Sequence, residues 1–447
     1  MRTGTMLYGL ALCAGLLLSL HPARARGGPI DAALAAQYFR EARAACERDG
    51  GRLWGVSPCG PVLFVEPQTR AVVANQPDAE GQLAKQGDVL VGKLPARQPI
   101  ANAAVDWAGV KWAMIVWSFL TKDEFQRVKM MAHESFHRVQ HELKFPVAGG
   151  GNDHLDTEQG RVWLQLEWRA LRQALTSEGK ARRVAVEDAL AFRQRRRALF
   201  PQSDASERAL EMHEGLAEYT GFKLSAKSER ELIDHLARHV EQCAGRPTFV
   251  GYFAYCNGPA YGVLLDAAGA DWRKGLTPQD DLGELLRRAS KIELPADLKA
   301  AADRQAARYD DAALRAAEAE REVARQKRLA AYRARLVDGP TLLVELTVQR
   351  RVAINTSNLV PLEGVGTVYP TATVTDAWGT LEVSDGALMI HGPGGRITKV
   401  YLSRPADPAA RPLKGEGWTL QLNPGWTLAP GPRDGDHVLK KEVGSRR

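Results

Sequence analysis

The chain has 447 residues, 25% of them charged, and a formal net charge of +7. Its 60 basic and 53 acidic residues are spread along the whole length, which excludes the dense basic stripe of a nucleic-acid-binding protein. The length exceeds what one compact core accommodates, so two folded units are expected, and no internal repeats occur.

The first residues read as a secretory signal: Arg2, an apolar run from Met6 to Leu20, then Ala23-Arg24-Ala25 at an A-x-A cleavage site. That run is short for a bilayer span, which takes about 20 residues. Residues 1–25 are therefore expected to be removed, and the loss of Arg2 and Arg24 lowers the charge from +7 to +5. No later segment has the length and apolar character of a membrane span, so the mature chain is expected to be soluble and exported, periplasmic or secreted. Cleavage also removes Cys13 and leaves Cys46, Cys59, Cys243 and Cys256. Four cysteines in an exported chain imply two disulfides, with three possible connectivities. Closeness in sequence favours Cys46–Cys59 and Cys243–Cys256. No C-x-x-C pair is present, which argues against a cysteine-ligated zinc.

An amphipathic helix is expected over residues 31–49. Strand-like runs follow at 62–65, 71–74, 89–92 and 110–117, the last apolar on both faces, as in a buried strand. Thr121-Lys122-Asp123-Glu124 then reads as a capping box. Phe125, Val128, Ala132, Phe136, Val139 and Leu143 keep helical spacing up to Pro146.

This helix carries His133-Glu134-Ser135-Phe136-His137, an H-E-x-x-H run. Positions i and i+4 share a helix face, so both imidazoles can meet one Zn²⁺, and Glu134 can take a proton from a water on that ion. A catalytic zinc also needs a third protein ligand and an open position. The metzincin extension fails, because Gln140 and Leu143 stand where Gly and His are required. His141 lies on the same straight helix, cannot complete a tetrahedron, and reads as a residue that supports the ligands from behind or as structural.

A second helix is expected around Glu211-Met212-His213-Glu214-Gly215-Leu216-Ala217-Glu218-Tyr219, capped by Asp204 and ended by Gly221. Together the two segments resemble the gluzincin branch of zincin metallopeptidases, the thermolysin-like and aminopeptidase-N-like enzymes. The resemblance covers the two helices and little else. It implies Glu214 as third ligand and Glu218 as the carboxylate that orients a ligand histidine. His154, Asp156, Glu167, His213 and Glu218 remain alternative ligands. Tyr255-Cys256-Asn257-Gly258 and Tyr261-Gly262 resemble the Y-x-x-G segment of aminopeptidase-N-like enzymes, which makes Tyr255 or Tyr261 a candidate oxyanion donor. The interval from His137 to Glu214 is longer than usual in the branch. The G-x-M-x-N segment that reads a substrate amino terminus is missing, so aminopeptidase specificity is not implied.

Residues 157–198 read as a helical insertion with a break at Glu178-Gly179. Arg193 to Arg197 is expected to form a solvated face, and Trp163, Glu167 and Trp168 are candidates for a substrate wall or for core. Helices are expected at 229–242, 250–265 and 282–290, then one continuous charged helix over 295–337. After Asp338-Gly339-Pro340, β-runs at 342–348, 368–374, 379–383, 387–390, 397–402 and 419–422 suggest a sandwich or small barrel.

The expected fold class is α+β: a mainly helical zincin-like domain with a small N-terminal sheet (26–294), the long helix, and a β-rich accessory domain (340–447). The expected function is that of an exported metallohydrolase holding one Zn²⁺ per chain and cleaving a peptide or protein substrate. The rival is a zinc-bearing but catalytically silent binding module of the cell envelope; an intact Glu134 favours the enzyme. A third reading is that no metal binds at all. The sequence assigns no oligomeric state.

Overall fold

The computed structural model describes residues 29–442 apart from 97, 146–150, 348–349, 355–358 and 393–395. The signal reading of residues 1–25, the stop at Pro146 and the end of the 342–348 run lie outside the described residues. The fold is α+β, and the chain divides into two compact units between Arg315 and Ala316.

The first unit opens with α1 (Ala32–Asp49), whose first turn is capped by the Asp31 carboxylate accepting from Leu34 N–H. Six strands follow: β1 (Val62–Val65), β2 (Ala71–Ala74), β3 (Ala84–Gln86), β4 (Val89–Lys93), β5 (Ala103–Trp107) and β6 (Val110–Val116). They form one sheet in the order β3-β4-β2-β1-β6-β5, in which only the β1–β6 pairing is parallel. From Trp112 on, β6 is apolar and buried on both faces, as its composition predicts. Trp112 and Met114 join Leu63 and Val65 on one side. Ala113 and Ile115 join Phe64, Tyr38 and Phe39 on the other.

The helices are α2 (Glu124–Gln140), α3 (Glu158–Leu175), α4 (Gly179–Leu199), α5 (Ser203–Leu210), α6 (Leu216–Ser225), α7 (Glu229–Cys243), α8 (Phe253–Ala267), α9 (Leu282–Ala289), α10 (Leu298–Ala306) and α11 (Asp311–Arg333). The expected capping box at Thr121 does not form. Asp123 is the cap, accepting from Gln126 N–H, while the Thr121 hydroxyl donates to the Asp123 carbonyl. Asp204 likewise sits inside α5 rather than at its cap, and Gly221 does not end α6, which runs on to Ser225. Between α5 and α6, Glu211–Gly215 forms a π-turn, in which Leu216 N–H donates to the Glu211 carbonyl.

The expected continuous helix over 295–337 is broken. Residues Ala307–Tyr309 tighten into a 3₁₀ turn and Asp310 adopts a left-handed φ of 51°. Tertiary anchors override the helix propensity here. Asp188 on α4 accepts from Arg308 at 2.8 Å and from the Tyr309 hydroxyl at 2.9 Å, and Arg169 on α3 donates to the Tyr309 and Asp310 carbonyls.

The second unit carries β7 (Thr341–Glu345), β8 (Arg351–Ile354), β9 (Val360–Leu362), β10 (Gly366–Tyr369), β11 (Ala372–Asp376), β12 (Gly379–Val383), β13 (Ala387–His391), β14 (Ile397–Ser403), β15 (Leu413–Gly415), β16 (Trp418–Leu422), β17 (Trp426–Pro430) and β18 (His437–Lys441). Seven strands form a sheet in the order β17-β18-β7-β14-β13-β10-β9, and five form another in the order β15-β16-β12-β11-β8. Leu342, Met389, Val400 and Leu402 of the first share one apolar cluster with Val374, Leu381 and Leu420 of the second, so the unit is a sandwich rather than a barrel. Among the described residues no helix is long and apolar enough to cross a membrane.

Candidate metal centre

The site starts from α2. Phe125, Val128, Ala132, Phe136 and Val139 are buried as the spacing predicts, and this fixes the rotation of the helix about its axis. That rotation brings His133 and His137 together one turn apart, with their Nε2 atoms 3.1 Å from each other. The π-turn delivers Glu214 to the same point, its Oε2 lying 3.4 Å from each of those nitrogens. Zinc bonds of about 2.0–2.2 Å at tetrahedral angles separate neighbouring ligand atoms by about 3.3–3.5 Å. The two sides to the carboxylate oxygen match this spacing and the side between the imidazole nitrogens is slightly shorter, so the three atoms are spaced to ligate one such ion.

The hydrogen bonds on the far side of each ring fix the tautomers. His133 Nδ1 donates to Glu218 Oε2 at 2.9 Å and His137 Nδ1 donates to Gln140 Oε1 at 2.8 Å. Both Nε2 lone pairs then face the shared point, the orientation that a bound cation needs. Without a metal, protons fill the role: burial opposes charge on His133, but Glu214 and Glu218 outweigh it and lift its pKa to about 10. Burial likewise works against a charged Glu214, yet His137 and His133 hold it well below the usual carboxylate range. Glu218 is also buried and also held low, by Lys129 and His133. Lys129 Nζ bonds Glu218 Oε1 directly.

Glu134 is 4% exposed, and its Oε2 has no hydrogen-bond partner among the described residues. Burial pushes its pKa up, with His133 and His137 pulling the other way. A buried carboxylate with a spare lone pair beside a cation site is placed to accept a proton.

Tyr255 and Tyr261 part company. The Tyr255 hydroxyl donates to Glu214 Oε2 at 2.5 Å, and its ring stacks on His133 at 5.5 Å. Burial and Glu214 raise its pKa well above the ordinary phenol value, so the hydroxyl stays a donor. Tyr261 instead gives its hydroxyl to Glu167 at 2.7 Å in a separate buried cluster, away from the imidazoles. His239 donates to the Tyr255 carbonyl at 3.0 Å; burial, then Lys129, lower its pKa to about 4.

The alternative ligands are mostly committed elsewhere. Glu167 bonds Arg193, Arg196, Asn257 and Tyr261; His154 bonds Glu207; Asp156 bonds Arg161, Thr248 and Phe249 N–H. His213 is the exception. Its Nδ1 lies 3.1 Å from Glu214 Oε1 and its ring lies 4.9 Å from that of His137. His141 is exposed and engages only the Arg138 carbonyl among the described residues.

Both close cysteine pairs are bonded, Cys46–Cys59 and Cys243–Cys256. His239 lies beside the second pair, whose disulfide leaves no thiolate to hold a metal. Trp163 and Trp168 are core residues at 1% and 2% exposure, not a wall.

The solvated face expected at Arg193–Arg197 is overturned at two positions, since Arg193 and Arg196 are fully buried. Arg193 grips Glu211 with two bonds of 2.7 and 2.5 Å and reaches Asp281 at 3.0 Å. Arg196 bonds Glu167 and, with two bonds of 3.0 Å, Glu207. Their positions continue the buried stripe of Ala185, Ala189 and Phe192 along α4, and that helical spacing is the sequence signal for their burial. The part played by Gln140 is concealed in the sequence. Besides holding His137, it donates to the Met212 and His213 carbonyls at 3.1 and 2.9 Å, tying α2 to the π-turn.

A cavity of about 330 Å³ lies on the reverse face of α2, lined by Phe39, Val128, Met131 and Ser135; the convergent side chains do not line it. No known protein family, curated protein or solved structure matches this chain.

Proposed function

We propose that the protein is an exported, zinc-dependent hydrolase of peptide bonds, of the gluzincin type. The observation that carries this reading is the triangle of His133, His137 and Glu214 beside the buried Glu134 Oε2, which has no partner among the described residues. The donor set of two imidazoles and one carboxylate suits Zn²⁺. When bound there, the ion acidifies a water and polarises the scissile carbonyl.

The chain's own residues do the rest. Glu134 takes the water proton as oxygen bonds to the carbonyl carbon, then passes it to the amide nitrogen as the C–N bond breaks. The Tyr255 hydroxyl donates its one proton to Glu214 in the resting site and, by turning that proton from Glu214 to the substrate, would stabilise the negative charge developing on the carbonyl oxygen. Glu218, kept ionised by Lys129, steadies His133. Export is supported by the two disulfides, which persist in oxidising compartments.

The test is Glu134→Gln. The variant should retain one zinc per chain and lose about 10²–10⁴-fold in turnover of a peptide library. Unchanged turnover would remove Glu134 from the mechanism, and zinc-free wild-type protein would remove the metal.

A further inference from the structure

The π-turn that presents Glu214 is fastened at both ends. At its start, Glu211 is fully buried; it is gripped by Arg193 of α4 and accepts from Asn257 Nδ2 of α8 at 3.0 Å. At its end, Glu214 accepts from Tyr255, two residues before Asn257 on the same helix. One residue further on, Gly215 meets Gly258 backbone to backbone. Asn257 is itself held: its Oδ1 accepts from Trp168 Nε1 at 2.7 Å, and its Nδ2 also reaches Glu167 at 3.2 Å.

A π-turn fits one more residue into the turn than an α-helix does, and it persists where other contacts hold it open. Tightening it to α geometry shifts the register by one residue, about 100° of rotation around the axis. If Glu211 stayed in its socket, Glu214 would then swing off the point shared by His133 and His137. Both carboxylates can be seated at once only in the widened turn.

Resting on the zinc reading above, we infer that Arg193, Glu211 and Asn257 form a buried brace that holds the π-turn open and so sets the geometry of the third metal ligand. None of the three lies within bonding range of the shared point among the described contacts. They act through Glu214 and are positioning residues. The brace is well suited to this because its anchor helices α4 and α8 are separate from α2, which carries the two histidines. The carboxylate is therefore located from α4 and α8 as well as through the Gln140 tie to α2.

The experiment compares the wild-type chain with Glu211→Gln and Asn257→Leu. Glu211→Gln keeps the shape and leaves Arg193 its Asp281 and Glu167 partners; Asn257→Leu removes only a neutral side chain, so either variant can carry the test if the other fails to fold. Zinc affinity is read by chelator competition, and ligand geometry by the visible absorption of the Co²⁺-loaded protein. Asp188→Asn serves as the control, because it disturbs the pairing of a buried carboxylate on the same α4 with the half-exposed Arg308 without touching the π-turn. The brace predicts a loss of zinc affinity of about 10–100-fold and an altered Co²⁺ spectrum in both variants, with wild-type affinity and spectrum in Asp188→Asn. Wild-type affinity and spectrum in Glu211→Gln or Asn257→Leu overturn the inference, as does an equal loss in Asp188→Asn. If wild-type chain takes up neither metal, the zinc reading itself falls, which is a separate and visible outcome.

Discussion

Substituting alanine for Gly258 tests how tightly α8 must press on the π-turn. A Cβ at this position would lie 2.2 Å from Gly215 Cα and 2.4 Å from its carbonyl carbon and oxygen. All three are backbone atoms, so no rotamer change relieves the clash. Carbon atoms settle at about 3.5–4.0 Å, so the two segments must part by about 1.3 Å or more. Tyr255 lies one turn back on α8, and its 2.5 Å bond to Glu214 would stretch toward about 3.8 Å, past hydrogen-bonding range. Overpacking costs about 1–3 kcal/mol and a bond to a charged group about 1.5–3 kcal/mol. The two overlap, because separation relieves the clash as it breaks the bond, so the net loss should be about 2–5 kcal/mol. Thermal unfolding followed by circular dichroism should show a fall in Tm of roughly 5–15 °C, with weaker zinc uptake. Gly251, whose added Cβ would meet nothing within 4 Å, is the control and should tolerate alanine. A Gly258→Ala protein that melts within a degree of wild type and binds zinc equally well would refute the reasoning.

Arg196→Met strands part of the negative charge of Glu167 and Glu207 in the core and should cost about 3–5 kcal/mol in urea unfolding; a loss below about 1 kcal/mol would contradict the pairing. The exposed Arg230–Asp234 pair, 3.9 Å apart, should by contrast lose under about 0.5 kcal/mol on Arg230→Ala. Acid should destabilise the helical unit through Glu207 and Asp281. Burial disfavours their charge, but Arg196 and His154 hold Glu207, and Arg193 and Arg197 hold Asp281, well below the ordinary values of 4.5 and 3.8. Groups whose folded pKa is depressed contribute stability that is present above the unfolded pKa and lost as pH falls toward the folded one. Unfolding free energy should therefore drop from pH 5 to pH 3, less steeply in Glu207→Gln, and a flat profile would contradict this. Replacing Cys243 and Cys256 by alanine opens a loop of 13 residues' separation and should cost about 3 kcal/mol, checked by denaturant midpoints; no change in midpoint would count against a stabilising bridge.

What the sequence discloses follows from the range of the interactions involved. His133, Glu134 and His137 are legible because five residues and one helix face suffice to state their relationship. Glu214 is legible only through likeness to a second helix, since nothing local ties residue 214 to residue 137. Asn257 and Lys129 have no local signature at all, and the helical spacing that marks Arg193 for burial names no partner; their partners lie 46, 89 and 18 residues away. The π-turn is likewise silent, because its widening comes from anchors on α4 and α8 rather than from its own composition. Alternating strands such as β12 and the apolar run 112–116 of β6 stand out. The exposed Ala84-Lys85-Gln86 of β3 has no pattern to read, and β8, β9, β15, β17 and β18 are short or weakly apolar. The break at Asp310 defeats propensity for the same reason as the π-turn: distant carboxylate and guanidinium groups outbid the local preference for helix.

The buried ion cluster bears on how the helical unit comes together. Its charges come from α3, α4, α5, the π-turn and the cap of α9, a span running from Glu167 to Asp281. Each is costly to dehydrate alone and becomes tolerable only when its counter-ions arrive. No fragment ending before Asp281 can close the set, since Arg193 and Arg197 both bond that residue. Assembly of these helices is therefore expected to be all-or-none, with the last segment to dock admitting the first to a dry interior.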